Sequence, residues 1–402
     1  WVLAKPKDVQ VNWWSCMALR SLRTARPQAL TAKACRRARV ALYATATPAS
    51  TRTSAMPQLS VKERAKAAIL GGLLADAASM PLHWIYDVPK LQSLLESKSR
   101  QDTPEFFPEP SCPFYKHPFG SLSPYGHELV PLLQSMAENG GELDAEKYSE
   151  ALYHYFTHTQ PEAYRNKSVR SVVAAWEEGR RGTQCGDEAD FQANCFAKAC
   201  ILVARYAGQP QLRERVEAAV RVQQNNDQAV AYGFAGALIL EKVVLGHSVS
   251  EALEWAAAEG VLPGDASALV GRALGSRNAP LKELTYEPAP YMAEMVSKHM
   301  ALRDSLPPFS LAVWCNGPAC GNPAAFTNVA MAAAHFGSSS NSYVEGVRAN
   351  MVAGGDNCSR SLLIGALLAA EGGLSCLPPD WSSQVSEWGR YEQLVDRLLE
   401  AR

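Results

Sequence analysis

The stretch Ala353-Gly354-Gly355-Asp356-Asn357-Cys358-Ser359-Arg360 runs straight into the apolar segment Ser361 to Ala370. Two glycines let the backbone approach a ligand closely. Asp356 to Ser359 then fall at the start of a predicted helix, where free amide groups favour an anion or an acidic cap. Two readings stand at this point: a polar site built on a helix N-terminus, or an ordinary Asp-capped helix.

The same combination of small residues and one acid occurs far upstream, in Gly72-Leu73-Leu74-Ala75-Asp76-Ala77-Ala78-Ser79-Met80-Pro81-Leu82-His83-Trp84-Ile85-Tyr86-Asp87. Asp76 shares a helical stripe with Ala65, Ile69 and Gly72, so the helix carries a carboxylate toward the core, which is costly unless it is paired or hydrogen-bonded. Such a group is a site candidate; a carboxylate that braces a neighbouring helix is the alternative.

Between and around these motifs the apolar spacing is helical. Stripes run through Leu129 to Met136, Tyr148 to Phe156, Leu212 to Val222, Ala229 to Leu245, Ala252 to Ala258, Val329 to Phe336 and Leu362 to Ala369, and strand-type alternation is scarce. Ser248 with Glu251 and Ser342 with Glu345 fit capping boxes. Asp144, Asp227 and Thr327 read as N-caps, and Gly208, Gly246, Gly260, Gly337 and Gly372 as stops. Residues 57 to 402 therefore read as one all-α domain, with long loops at 98–126, 278–290 and 306–323 converging on a site.

The first 56 residues do not belong to that pattern. They hold ten basic side chains and one acid, Asp8, against 29 basic and 39 acidic residues in the remainder. A segment rich in Arg, Ala, Ser and Thr and without an apolar core reads as an organelle transit peptide, for a chloroplast or a mitochondrion, with Met17 or Met56 as internal starts. A basic tail on a cytoplasmic protein is the alternative. Near-neutral totals argue against a nucleic-acid partner, and no uncharged run reaches the roughly 18 to 20 residues of a membrane span. Ten scattered cysteines without a Cys-x-x-Cys read as reduced core thiols. His154 and His158, four apart, read as solvated helix surface rather than zinc ligands. The oligomeric state is left open.

Taken together, the two motifs resemble the ADP-ribosylglycohydrolase family, whose chains open with Gly-x-x-x-Gly-Asp-Ala-x-Gly-x-Pro and close with Gly-Gly-Asp-Thr-Asp-Thr before an apolar helix. The match is carried by Gly71 or Gly72, Asp76, Ala77 and Pro81, and by Gly354, Gly355 and Asp356 with Gly365 downstream. The details at 81 to 87 and 354 to 360 are most similar to the J-crystallin and selenoprotein J branch. The resemblance implies a helical fold around an ADP-ribose pocket, in which active members hold two divalent cations with Thr-Asp-Asp-Thr and the late Asp-Thr-Asp-Thr.

This chain departs from that pattern where the metals are held. Ser123-Pro124-Tyr125-Gly126 stands at the early motif, and Asn357, Cys358 and Ser359 follow Asp356 in the late one. Four ligating carboxylates become one, and two magnesium ions beside a single acid repel one another in a poorly neutralised pocket. The expectation is a degenerate two-metal site, with at most one magnesium on Asp356. An ADP-ribose-like ligand would contact Asp76, Ser123, Tyr125, Gly354, Gly355, Asn357 and Ser359. If catalysis persists, Asp356, Cys358 as a helix-terminus thiolate and His83 as a base are its candidates, with His127 a second base. Three functions are compatible with this: a binder with lost or altered hydrolysis, a hydrolase of ADP-ribosyl bonds with a non-standard site, and a crystallin-like structural protein.

Overall fold

The computed structural model describes residues 59–85, 88–275, 277, 322–337 and 342–402. The basic segment 1–56, the loop 278–290, most of the loop 306–323 with Cys315 and Cys320, and Tyr86 and Asp87 lie outside the described residues.

Helices follow one another as α1 (Val61–Ser79), α2 (Val88–Ser97), α3 (Pro124–Glu138), α4 (Ala145–His154), α5 (Lys167–Glu177), α6 (Asn194–Ala197), α7 (Ala199–Tyr206) and α8 (Leu212–Gln223). The series continues with α9 (Asp227–Val244), α10 (Val249–Ala256), α11 (Ala266–Gly275), α12 (Asn322–Phe336), α13 (Ser342–Val352), α14 (Asn357–Gly372), α15 (Pro379–Ser382) and α16 (Trp388–Glu400). The described residues contain no strand, and Ile85 and Gly355 make an isolated antiparallel bridge. The fold is all-α.

The cap chemistry explains most boundaries. Ser248 and Glu251 form a full capping box, Ser60 and Glu63 form another, and Asp144 caps α4 through its side chain. Gly208, Gly246 and Gly260 take left-handed φ values after α7, α9 and α10, where a side chain would be strained. Two N-cap expectations are corrected. Asn226, not Asp227, caps α9, because its side chain accepts from Ala229 N–H while Asp227 is already the first helical residue. Thr327 lies inside α12, which begins at Asn322, seven residues before the apolar stripe that opens at Val329.

The centre of the molecule is α1 against α14, the pair with the most extensive contact in the fold. Glycines on both helices make the approach possible. A Cβ on Gly71 would lie 2.8 Å from the Gly365 carbonyl oxygen, one on Gly72 2.8 Å from that of Leu362, and one on Gly365 2.7 Å from the Ala75 Cβ. Backbone therefore lies against backbone, and the Tyr343 hydroxyl caps the seam by donating to Gly71 O at 2.7 Å. Around this pair, α3, α7, α9, α12, α13 and α16 complete the core. The segment Val61–Leu82 is long and apolar enough to cross a membrane by composition, which the search for uncharged runs missed; 94% of its apolar window is buried inside the protein, as befits a central helix.

Candidate functional site

The close approach of α1 and α14 brings the C-terminal end of one to the N-terminal end of the other, and so joins two motifs almost 280 residues apart. Trp84 N–H donates to Gly355 O at 2.8 Å and Gly355 N–H to Ile85 O at 2.7 Å, pinning the segment after α1 onto the glycine turn before α14. Gly354 and Gly355 both take left-handed φ values, 75° and 64°, which explains why glycine stands at each. Arg360, wholly buried, braces the turn by donating to Gly354 O (2.7 Å) and to Asn350 Oδ1 (2.7 Å).

Asp356 sits at the N-cap position of α14, yet its side chain makes no capping hydrogen bond. The carboxylate serves four side chains instead. Oδ1 lies 2.9 Å from His83 Nε2 and accepts from Trp84 Nε1 at 2.9 Å; Oδ2 accepts from the Tyr125 hydroxyl at 3.1 Å and the Ser359 hydroxyl at 2.7 Å. All of Asp356, His83, Tyr125 and Ser359 are fully buried, and Trp84 is 7% exposed. His83 continues outward through Nδ1, 2.7 Å from the Tyr115 hydroxyl. Burial lowers the His83 pKa, against the opposing pull of Asp356, so the imidazole is neutral near pH 7.

Asp76 forms a second, adjacent centre. It accepts from Ser123 N–H at 2.8 Å and from the Ser123 hydroxyl at 2.5 Å, and Ser123 in turn caps α3 by accepting from Tyr125 and Gly126 N–H. The carboxylate thus braces the start of α3, and a side chain at Gly126 would collide with it. Burial pushes the Asp76 pKa up to about 7, with Asp356 and Glu128 adding to the rise and the Ser123 bonds opposing it.

Cys358 needs correction as a reactive thiol. It is fully buried beside the Asp76 carbonyl oxygen, with Sγ at 3.8 Å. Burial, then Asp76 and Asp356, hold its pKa well above the ordinary thiol range; these terms outweigh the helix-terminus effect that suggested a thiolate. His127 is likewise elsewhere: it pairs with the Tyr155 hydroxyl at 2.7 Å, and burial pushes its pKa down to about 3. Asn357 donates to Leu82 O at 3.3 Å and takes no part in the Asp356 cluster. His154 and His158 stack on one another, with ring centroids 4.9 Å apart, and gain no third ligand among the described residues.

Sequence reasoning missed Trp84 and Tyr115 as members of the cluster. Both are aromatic residues in loop segments flanking candidates it did name, and the signal that could have found them is the density of rings in 81–86 and 114–125. Missed as well is a buried polar network behind α3. Glu128 accepts from Asn166, Asn194 and Gln223, with the buried Lys198 amine donating to Asn194 O at 2.9 Å.

The side chains gathered around Asp356 are hydrogen-bond partners rather than further acids. Among the described residues no three His, Cys, Asp or Glu side chains are grouped to hold a metal. The oxygens of Asp356 already receive two donors each, and an indole N–H is a donor that cannot share its acceptor position with a cation.

A compact all-α fold built on a glycine turn, an acid at the start of a buried helix and a matching acid on the first helix defines a class, and comparison identifies it. The ADP-ribosylglycohydrolase family profile matches residues 57–402. The chain belongs to the ADP-ribosylglycohydrolase family. It is similar to crystallin J1A of Tripedalia cystophora, at 30% identity over 84% of this chain and 96% of that protein. It is also similar to crystallin J1B of the same animal, at 29% over 81% and 92%. Among solved structures, a chain of an ADP-ribosylglycohydrolase-related protein complex shares the fold, with a TM-score of 0.53 at 16% identity, over 85% of this chain and 98% of that one.

Proposed function

We propose that this protein binds an ADP-ribose-like small molecule and does not hydrolyse it by the two-metal route of its family. The observation that carries the reading is the saturation of Asp356: the one acid retained from the late motif has all its acceptor positions filled by His83, Trp84, Tyr125 and Ser359. A hydrolase of the metal-dependent kind needs those oxygens for cations that orient the ribose and activate water. Retention of a ligand is supported by family membership and by the aromatic cluster that leads from Asp356 to the surface. Trp84 meets Phe114 edge-on at 5.6 Å and Tyr164 at 5.5 Å, and Phe114 is 57% exposed. An exposed ring over a buried one offers a stacking face to a nucleotide base.

Calorimetric titration of the full chain with ADP-ribose, with and without magnesium, tests the reading. Binding of equal strength in both, with no release of free ADP-ribose from ADP-ribosylated substrates, is the expected result. Turnover that depends on magnesium would overturn it.

A second reading, a crystallin-like structural protein, is favoured by one observation: Asp76, His83, Ser123, Tyr125, Asn357, Cys358 and Ser359 are all fully buried, so the motif side chains are packed as core. Absence of any ADP-ribose binding in the same titration selects it. A hydrolase working through Cys358 has the least support, since the thiol is held protonated.

A further inference from the structure

Two kinds of donor meet at Asp356, and they differ in what they permit. The hydroxyls of Tyr125 and Ser359 on Oδ2 can rotate and turn a lone pair toward a cation. The indole Nε1–H of Trp84 on Oδ1 cannot, because it has no lone pair to offer. The backbone is arranged around that contact. Trp84 has φ 57°, in the left-handed region, where a bulky side chain is strained and persists only when its surroundings hold it. The holding contacts are the Gly355 hydrogen bond at 2.8 Å and stacking on His83 with ring centroids 4.4 Å apart. Edges of Tyr115 and Tyr125 at 5.6 and 6.2 Å complete the grip.

We propose that Trp84, seconded by His83, substitutes for a cation at Asp356, so that Trp84 is the specific residue that excludes divalent metal from this chain. The inference rests on the reading that metal-dependent hydrolysis is lost, and it names the side chain responsible. Loss of neighbouring acids alone would weaken a metal site; an immovable N–H on the remaining carboxylate closes it. Tyr125 reaches Asp356 Oδ2, and Cys358 lies close enough to Asp76 and Asp356 for both to raise its pKa. Acids at 125 and 358 would therefore join Asp76 and Asp356, yet with Trp84 in place they would still face a blocked Oδ1.

The test uses the full chain in two variants, Tyr125→Asp/Cys358→Asp and the same pair with Trp84→Phe, titrated with magnesium and manganese and followed by calorimetry and thermal unfolding. The triple variant is expected to bind the cation at least about tenfold more tightly than the double, which corresponds to roughly 1.4 kcal/mol. Equal affinity in the two, or a folded triple variant that binds nothing, would overturn the proposal. Because new buried acids can prevent folding, the unmodified protein supplies a second readout. Its Trp84 indole N–H resonance, assigned by loss in Trp84→Phe, is expected to resist solvent exchange and to stay unmoved in a large excess of magnesium. Rapid exchange, or displacement of that resonance by magnesium, would overturn the proposal. ADP-ribose titration of the same unmodified protein keeps the readings apart: failure to bind ADP-ribose counts against the ligand and leaves the role of Trp84 standing.

Discussion

At the scale of single residues, the chain converts acids that could work on a ligand into acids that hold helices. Asp76 is the clearest case, because its burial is compensated by two hydrogen bonds from one residue, Ser123. Its pKa in the folded protein, about 7, lies above the ordinary 3.8, so the folded state keeps a proton that the unfolded chain releases. Stability from this group is therefore fully present below about pH 4 and is lost as pH rises toward 7, at a slope of at most roughly 1.4 kcal/mol per pH unit. Asp76→Asn keeps the shape and the acceptor for Ser123 N–H without the charge. Its thermal unfolding midpoint is expected to change less between about pH 5 and pH 8 than that of the unmodified protein, whose midpoint falls. An unchanged pH dependence in the variant would remove Asp76 as the cause. The sequence made this acid visible through its place on an apolar stripe. It could not show the hydroxyl that meets it, because Ser123 lies 47 residues away and no local rule links them.

Helices and their junctions carry the next lesson. The small-residue runs in α1 and α14 were legible as helix and as glycine-rich, and the structure adds that Gly71, Gly72 and Gly365 face the other helix. Gly365→Val inserts a branched side chain where a Cβ alone already comes within 2.7 Å of Ala75 and closer still to Gly71 O. Backbone cannot yield as a flexible side chain can, so overpacking here is expected to cost at least about 1–3 kcal/mol. Urea unfolding of the variant measures it, and a change within experimental error would show that the seam is looser than it stands. Helix starts were less legible than helix bodies. Asn226 outcompetes Asp227 because the cap is set by which oxygen reaches the amide two or three residues on, a matter of backbone direction that composition does not encode.

For the molecule as a whole, fold class and family were readable because the apolar period is helical nearly throughout and the two motifs recur in order. The interior of the site was not, since its character depends on rings from 84, 115 and 125 converging on one carboxylate. Residues 1–56 stand outside the family match, which begins at 57. We propose that they are removed as a transit peptide, and terminal sequencing of the native protein is expected to find a new N-terminus between about residues 40 and 60. Recovery of protein that retains Met17 would count against removal.

The buried guanidinium of Arg360 has a consequence for how this centre behaves. Glycine turns are usually where a fold gives way, yet this one is tied to a cation that has no water to retreat to. Swinging Gly354 outward would strip the charge of one of its acceptors deep inside the protein, at a cost of about 1–3 kcal/mol or more. The two glycines thus lend curvature, while the guanidinium beneath them holds the loop that looks most pliant on paper.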